Sequence, residues 1–188
     1  MDKVIQLLGF SGSLRKGSYN TMLLNSLKEL LPENVSLQIV SIADIPFYNG
    51  DLDLPDATER PQAVEAFRDA ISKADALVIV SPEYNYSIPG ALKNAIDWAS
   101  RGEDSPILKK TVSLMGASNG MWGTVRMQMA FQPVFLTLGM RQVKPEVYVS
   151  KAQDKFDKEG KLIDEGTKKI LIKNLLALKE AIEKQKTY

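Results

Sequence analysis

Five short apolar runs alternate with five longer amphipathic segments, and this order restricts the fold more than any other feature of the chain. A parallel strand covered on both faces needs near-continuous apolar residues, and the run Ala-Leu-Val-Ile-Val at 76–80 is the clearest case. Right-handed crossovers turn such an order into one parallel sheet with helices on both faces, an α/β fold. The predicted strands are 4–8, 36–41, 76–80, 111–115 and 140–149, and the predicted helices are 19–31, 62–72, 90–100, 124–138 and 166–186.

Composition limits the chemistry that the side chains can perform. The 188 residues suit a single domain spanning 1–188, and the net charge of +1, from 24 basic and 23 acidic residues, offers no general attraction for nucleic acid or an anionic membrane. The chain contains no cysteine and no histidine, which excludes thiol nucleophiles and cysteine zinc sites and removes the commonest general base. We therefore expect no metal site, and chemistry that depends on a cofactor, carboxylates or hydroxyls.

The hydropathy pattern gives an expectation for the cellular compartment. The first residues contain a short apolar run without a small-residue cleavage site, and no run approaches the roughly 20 residues of a membrane span. A cytoplasmic protein is the expected case.

The first predicted strand ends in a loop dense in glycine, serine and cations, and a helix follows at once. Gly12 and Gly17 allow the backbone to approach a ligand closely, and the planar fork of Arg15 suits a phosphate. The helix that begins near Tyr19 directs its free N–H groups and the positive end of its dipole at the same place. We therefore predict a phosphate-binding loop, to which short polar side chains contribute at Ser11, Ser13, Ser18 and Asn20.

Two common phosphate loops do not match this stretch. Ser18 stands where the triphosphate pattern GxxxxGK[ST] requires lysine, and the dinucleotide pattern GxGxxG fails because Gly9 and Gly12 are three apart. A turn that only caps the helix is the structural alternative. It does not explain Arg15 and Lys16, which stand where the helix dipole repels cations.

The loops after the first, third and fourth predicted strands all fall at the carboxyl edge of the sheet, where sheets of this kind bind ligands. The loop at 81–89 is rich in aromatic and amide side chains, and the loop at 116–120 is rich in small residues. A phosphate loop beside an aromatic loop fits a phosphate joined by a flexible arm to a flat ring, as in FMN. Other mononucleotides and sugar phosphates fit the same description.

Three segments resemble the NADPH-dependent FMN reductase family, the flavodoxin-like group that includes quinone, azo-dye and chromate reductases. They read GSLRKGSYN after the first strand, PEYNYSIPGALKNAIDW after the third, and Pro-Phe-Tyr-Asn at 46–49, and the resemblance extends over essentially the whole chain. It implies a flavodoxin-like three-layer sandwich whose five-stranded parallel sheet has the order 2-1-3-4-5. It also implies bound FMN, NADPH or NADH as electron donor, and ping-pong two-electron transfer to quinones, azo compounds or chromate.

The resemblance further implies which residues contact the flavin. The first loop would hold the phosphate and ribityl end, the second would run along the ring with Tyr84 and Asn85 beside it, and the third would approach from another side. No side chain is assigned a catalytic role, because the chemistry belongs to FMN. The sequence departs from many relatives at 119–123, where they carry Pro-Gly and a basic residue, and this bears on the shape of the substrate opening. The implied contacts are Ser11, Ser13, Arg15, Ser18, Tyr19, Asn20, Pro82, Glu83, Tyr84, Asn85 and Ser118.

Assembly follows from the same resemblance. Members of the family form homodimers or homotetramers whose subunits complete one another's flavin pockets. The interface candidates in this chain are Tyr48, Asn49 and the helix from Thr124, with Arg126 and Phe131.

Alternative interpretations remain open for two parts of the sequence and for the function. Glu83 is a catalytic carboxylate or, in the simpler interpretation, a residue that lends its backbone and an ion pair. The acidic stretch 154–160 superficially resembles a calcium loop but lacks the ligand alternation, so we predict a hairpin turn. A flavodoxin-type electron carrier is the main rival function, although such carriers are strongly acidic. A mononucleotide-binding regulatory module without turnover is the other.

Overall fold

The computed structural model describes residues 4–185, which form a parallel sheet with helices packed on both faces. The sheet order is 2-1-3-4-5, with a sixth short strand that also pairs with the fourth, so the predicted flavodoxin-like order is confirmed. The strands are β1 (Ile5–Ser11), β2 (Val35–Val40), β3 (Ala76–Val80), β4 (Thr111–Ala117), β5 (Arg141–Gln142) and β6 (Val147–Val149). The α-helices are α1 (Tyr19–Ser26), α2 (Gln62–Lys73), α3 (Gly90–Ala99), α4 (Val125–Leu138) and α5 (Glu165–Gln185).

The sheet separates two hydrophobic cores, and β3 supplies both. Val78 and Val80 face the core that contains α1 and α5, whereas Leu77 and Ile79 face the core that contains α2, α3 and α4. Every residue of β3 is buried, because successive side chains point to opposite faces and a helix layer covers each face. Each such large side chain contributes about 1.5–3 kcal/mol by its burial. The sheet is therefore fixed from both sides, which gives the loops at its edge a rigid base.

Helix α1 is shorter than its apolar pattern predicts. The predicted helix runs to Leu31, but α1 ends at Ser26 and the chain continues as a 3₁₀ turn, Leu27–Glu29. The hydroxyl of Ser26 donates to the carbonyl of Met22 at 2.9 Å. Such a bond competes with the regular helical pattern and weakens the last turn, which gives a physical reason for the early end.

The predicted fifth strand, Met140–Val149, is divided into β5 and β6. Pro145 lies between them and has no N–H for the ladder, and its carbonyl accepts a bond from Asn174 Nδ2 of α5 at 2.7 Å. β5 and β6 pair with the two ends of β4 on either side of this interruption.

The remaining boundaries agree with the sequence prediction to within a few residues. The final helix was expected to end at Lys186, which lies outside the described residues. The predicted hairpin at 154–160 is present as a turn in which the N–H of Asp157 donates to the carbonyl of Lys161 at 3.0 Å. Across 4–185, the structure contains neither a helix long and apolar enough to cross a membrane nor a group of three acidic side chains arranged to hold a metal ion.

Candidate functional site

Three loops begin side by side at the carboxyl edge of the sheet, after β1, β3 and β4. Backbone hydrogen bonds continue beyond the strand ends: the N–H of Gly12 donates to the carbonyl of Val80 at 2.9 Å, and the N–H of Ser81 donates to that of Met115 at 3.0 Å. The structure therefore places the predicted site residues of all three loops along one edge of the sheet.

The first loop, residues 12–18, is shaped by bonds between near neighbours. Ser11 Oγ accepts from the N–H of Ser13 at 3.1 Å, and Ser13 Oγ accepts from the N–H of Arg15 at 3.4 Å. Arg15 Nη2 donates to the carbonyl of Gly17 at 3.1 Å, and Gly17 has the positive φ of +67° that glycine tolerates. The guanidinium of Arg15 is exposed and has no other partner within 4–185, so it retains donors for a phosphate.

The start of α1 completes the phosphate site. Ser18 is the N-cap, and its buried Oγ accepts from the N–H of Asn20 at 3.2 Å. The first turn of α1 contains no acidic residue that would neutralise its positive end. An anion bound at the first loop would therefore be stabilised by this helix terminus as well as by Arg15.

Two of the predicted flavin contacts, Tyr19 and Asn20, pack against other parts of the protein. The side-chain amide of Asn20 is buried, donates to the carbonyl of Ala117 at 3.0 Å and accepts from the N–H of the same residue at 2.8 Å. The ring of Tyr19 packs on Phe156 with centroids 5.6 Å apart. Both side chains thus already have partners in the protein, and their direct contact with a flavin stays a prediction.

Two glycines allow the three loops to pack closely. A Cβ on Gly12 would overlap Ser81 Oγ and lie 2.9 Å from Leu92 Cδ2. A Cβ on Gly116 would overlap both the carbonyl oxygen of Ser81 and the hydroxyl of Thr124. These positions leave no room for a side chain, because the side chains of Ser81, Leu92 and Thr124 and the Ser81 carbonyl pack directly against the two glycines.

The second loop, residues 81–89, contains a tight turn that exposes two aromatic rings. The N–H of Tyr84 donates to the carbonyl of Ser87 at 3.2 Å, and the N–H of Ser87 donates back to that of Tyr84 at 2.9 Å. The two central residues, Asn85 and Tyr86, have φ values of +48° and +64°, as a type I′ turn requires. The rings of Tyr84 and Tyr86 are exposed, so the turn presents flat apolar surface at the edge where the ring-binding site is expected.

Glu83 forms the ion pair that the simpler interpretation predicted. Its Oε2 accepts from the backbone N–H groups of Arg126 and Met127 at 2.9 and 3.2 Å, and its Oε1 accepts from Arg126 Nη1 at 3.3 Å. The carboxylate therefore caps the positive end of α4 and joins the second loop to that helix. Pro82, the neighbouring predicted contact, is half-buried.

The third loop, residues 118–124, is braced by β6, a contact that the sequence did not indicate. The N–H of Ser118 donates to the carbonyl of Val149 at 2.9 Å. Gly123 lies so close to the same strand that its Cβ would stand 2.8 Å from the carbonyl carbon of Tyr148. Residues 119–123, where the sequence departs from many relatives, thus lie in a loop that β6 holds in place. The Trp122 side chain on this loop is 61% exposed.

Thr124 ends the third loop, and the sequence predicted it only as part of an interface helix. It is buried at the N-cap of α4 with a φ of +71°, which is a strained value for a β-branched residue. Its hydroxyl has no partner within the part of the chain that the structure describes. No sequence pattern signals a threonine in this conformation. The nearest signal is Gly116, whose missing side chain makes room for the Thr124 hydroxyl.

The long loop between β2 and α2 is tied to α3 at its front end. The carbonyl of Pro46 accepts from Asn94 Nδ2 and Trp98 Nε1, both at 2.8 Å, and the N–H of Tyr48 donates to Asn94 Oδ1 at 2.8 Å. The ring of Tyr48 meets that of Trp98 edge to face at 4.8 Å. Tyr48 and Asn49 are therefore held at the surface in a fixed position.

At its rear end the same loop is joined to the body by a buried arginine. Arg60 contacts Asp53 and binds Asp104 through two bonds of 2.9 and 3.0 Å. Hydrogen bonding from Arg60 lowers the pKa of Asp104 below its usual value. A loop of this length is thus ordered by ion pairs rather than by regular structure.

One interface candidate does not lie at the surface. Phe131 is fully buried in the core beside α4, where its ring stacks on Phe135 at 5.1 Å, so its prediction as an interface residue is wrong. The helix pattern placed an aromatic residue on α4 without indicating which face it occupies. Met129 and Leu136 are the apolar residues that α4 exposes.

The residues present fit FMN at both ends of the molecule. The first loop offers unpaired guanidinium donors and a helix N-terminus for a phosphate, and the close approach at Gly12 brings its backbone beside the second loop. The exposed aromatic turn lies on the adjacent strand end, where a flat ring would extend from that phosphate.

Comparison with known proteins decides the family. The sequence profile of NADPH-dependent FMN reductases matches residues 5–154. The chain belongs to the NADPH-dependent FMN reductase family.

Individual family members agree with this assignment along nearly the full chain. An NAD(P)H-dependent FMN reductase of Pseudomonas aeruginosa is 44% identical over 179 residues, which cover 95% of each chain. A quinone reductase of Escherichia coli is 40% identical over 189 residues, covering 99% of this chain and 100% of its own. The solved structure of FerB, a flavoenzyme NAD(P)H:acceptor oxidoreductase from Paracoccus denitrificans, superposes with a TM-score of 0.85 at 34% identity, covering 96% of this chain and 98% of its own.

Membership of the FMN reductase family confirms the resemblance, the cofactor and the class of enzyme predicted from the sequence. FMN is the cofactor, a reduced nicotinamide is the electron donor, and the protein is an oxidoreductase. The eleven flavin contacts that the resemblance implies stay predictions.

Proposed function

We propose that this reductase takes a hydride from NADPH or NADH onto bound FMN and passes two electrons to a quinone or a similar acceptor in a ping-pong cycle. The observation that supports it best is the convergence, at one sheet edge, of an open phosphate loop and an exposed aromatic turn. Azo compounds and chromate belong to the same proposal as further acceptors. The relatives of P. aeruginosa and E. coli, an NAD(P)H-dependent FMN reductase and a quinone reductase, support the donor and the acceptor class.

The side chains of this protein bind and orient the cofactor and the substrates. Neither histidine nor cysteine can transfer a proton here, because the sequence contains neither residue. Arg15, Ser13 and the start of α1 would hold the phosphate end. The turn at Tyr84 and Asn85 would lie along the ring, and Glu83 keeps that turn joined to α4. When bound, FMN supplies the hydride acceptance and two-electron delivery that these residues cannot supply themselves.

Both substrates would use one opening, because the first loop and α1 close the phosphate end of the site. The donor must then leave before the acceptor enters, which is the basis of the ping-pong order. The cytoplasm is the proposed compartment, because reduced nicotinamides are made and consumed there.

Reconstitution with FMN tests this function directly. We expect a yellow protein whose flavin absorbance is bleached anaerobically by NADPH or NADH and restored by a quinone, with parallel double-reciprocal plots in steady state. A flavin that binds but is not bleached by either nicotinamide would indicate an electron carrier. A protein that stays colourless would indicate a regulatory module.

A homodimer or homotetramer is part of the proposal. Tyr48 and Asn49 are exposed on the long loop between β2 and α2, and α4 exposes Met129 and Leu136 on its outer face. An apolar face of this kind on a surface helix is typical of a subunit contact. Leu136→Lys should lower the molecular mass seen by sedimentation at micromolar concentration, whereas a wild-type monomer would contradict the proposal.

A further inference from the structure

Beside the expected ring site, the side chains of Tyr86, Trp122 and Arg126 form a cluster that the proposed cycle does not use. The guanidinium carbon of Arg126 lies 4.1 Å from the centre of the Tyr86 ring and 5.6 Å from the centre of the Trp122 ring. We call these three residues the aromatic clamp. Tyr86 belongs to the second loop and Trp122 to the third, so the clamp bridges the two loops that flank the expected ring.

The charge of Arg126 is only partly used inside the protein. One nitrogen, Nη1, donates to Glu83, and that carboxylate is also satisfied by two backbone N–H groups at the start of α4. The Nε and Nη2 donors have no partner among residues 4–185, and the side chain is 35% exposed. A cation that is already oriented, with donors still free, is suited to bind an oxyanion.

The two rings of the clamp are unusually open for aromatic side chains. Tyr86 is 68% exposed and Trp122 is 61% exposed. Tyr86 also has a positive φ of +64°, which is costly for a bulky residue, and the turn bonds at Tyr84 and Ser87 hold it there. The structure thus keeps flat apolar surface beside a cation that has unused donors at the edge of the site, which is the pattern that recognises a planar aromatic anion.

We propose that the aromatic clamp selects the electron acceptor, favouring planar quinones that carry an anionic group. The ring of the acceptor would stack against Trp122 and Tyr86, and its carboxylate, sulfonate or ionised hydroxyl would accept from Arg126. This inference rests on the proposed function, since it names the acceptor class of the same site. Arg126 acts here as a specificity residue in the acceptor half of the cycle.

Paired substrates test the clamp on the FMN-loaded enzyme. With NADH fixed, the KM is measured for 1,4-naphthoquinone and for its 2-sulfonate. We expect Arg126→Ala to raise the KM of the sulfonate about tenfold or more and that of the neutral quinone by less than about threefold, because only the sulfonate loses a charged hydrogen bond. Arg126→Lys keeps the charge but loses the planar fork of donors, so its KM for the sulfonate should lie between those of the wild type and Arg126→Ala. Trp122→Ala should raise both KM values by about three- to tenfold, because both acceptors lose a stacking surface.

Three controls make the result decisive. Arg141→Ala, an exposed arginine on β5 away from the three loops, should leave both KM values unchanged. The rate of flavin reduction by NADH in stopped flow and the FMN dissociation constant should change by less than about twofold in Arg126→Ala. The sedimentation coefficient should match that of the wild type.

Several outcomes would overturn the clamp. Equal changes for the two quinones in Arg126→Ala, or no change for either, would remove the recognition of charge. Slower flavin reduction by NADH would assign Arg126 to the nicotinamide, and an altered sedimentation coefficient with both KM values raised would assign it to a subunit contact. None of these affects the proposed function, which fails only if the wild-type flavin is not reduced by either nicotinamide.

Discussion

The first loop and the pair formed by the second and third loops are built in different ways, although they serve one site. In the first loop, the bonds among Ser11, Ser13, Arg15 and Gly17 join residues that are two apart in sequence. The second loop depends on the bond of Glu83 to Arg126, 43 residues away. The bonds within the first loop are thus local, whereas the bond that joins the second loop to α4 forms only after the chain has folded.

This contrast predicts two kinds of variant. Removal of the Arg15 side chain in the first loop should weaken ligand binding and leave the free energy of unfolding almost unaltered, since its bond is to a residue two positions away. A change in the second or third loop should lower both, because the same contacts hold the fold and shape the site.

The largest expected effect is that of Gly116→Ala. The added Cβ would overlap the Ser81 carbonyl and the Thr124 hydroxyl, so the protein without FMN should lose about 3 kcal/mol of unfolding free energy in urea. Gly50→Ala is the matched control, because a Cβ at Gly50 meets nothing within 4 Å. Equal stability of the two variants would mean that the second and third loops are not tightly joined.

Arg15→Ala comes next and should separate binding from stability. Loss of a charged contact to phosphate should raise the FMN dissociation constant about ten- to a hundredfold, measured by fluorescence titration. The urea midpoint of the protein without FMN should not move, because among residues 4–185 the Arg15 guanidinium donates only to the carbonyl of Gly17, two residues away. Lys28→Ala, an exposed cation on the turn after α1, serves as control, and an unchanged FMN affinity in Arg15→Ala would remove Arg15 from the phosphate site.

Glu83→Gln should weaken FMN binding less than Arg15→Ala does, but unlike Arg15→Ala it should also lower the stability. Glutamine keeps one acceptor oxygen but loses the charge that caps α4, which should cost about 1 kcal/mol of unfolding free energy. A modest loss of FMN affinity, smaller than that of Arg15→Ala, should accompany this loss of stability. Glu159→Gln, at an exposed carboxylate, gives the baseline for charge removal. If Glu83→Gln lowered the unfolding free energy and the FMN affinity no more than Glu159→Gln does, the bonds between Glu83 and the start of α4 would be unimportant.

The smallest effect concerns pH and the long loop that Arg60 holds. Asp104 has a lowered pKa in the folded protein, chiefly because Arg60 donates to it, so its ion pairs stabilise the fold above the unfolded pKa of 3.8 and this stabilisation is lost as the pH falls further. Because Asp104 is more than half exposed, the advantage of the wild type over Asp104→Asn should be at most about 1 kcal/mol at pH 7.

Urea titrations of the two proteins between pH 7 and pH 3 measure this difference. The difference in unfolding free energy between the two proteins should narrow as the pH falls below 3.8, because protonated Asp104 resembles asparagine. Asp69→Asn, in the exposed pair with Lys73, should show little difference at either pH. A gap that widened on acidification would reverse the assigned sign.

The sequence was sufficient for strands β1 to β4 and for the start of α1, because both depend on short-range patterns. The apolar run of β3 and the cap at Ser18 are visible within a few residues. Features set by distant partners were not predictable. The buried position of Phe131, the left-handed Thr124 and the bond from Asn174 to Pro145 each depend on an element far away in the chain.

Helix ends illustrate the same limit on a smaller scale. The apolar pattern of α1 continues to Leu31, but the hydroxyl of Ser26 bonds to the carbonyl of Met22 and the regular helix stops. A hydroxyl within a helix can face solvent or its own backbone, and the one-dimensional pattern does not distinguish the two.

The amide of Asn20 also limits which residues this position can accept. It gives one bond to Ala117 and takes one from it, so it works as a clip between the start of α1 and the end of β4, 97 residues apart. Aspartate would lack the donor, serine is shorter, and glutamine adds a methylene that a fully packed interior has no space for. Position 20 should therefore tolerate almost no substitution, whichever acceptor a given reductase of this architecture comes to prefer.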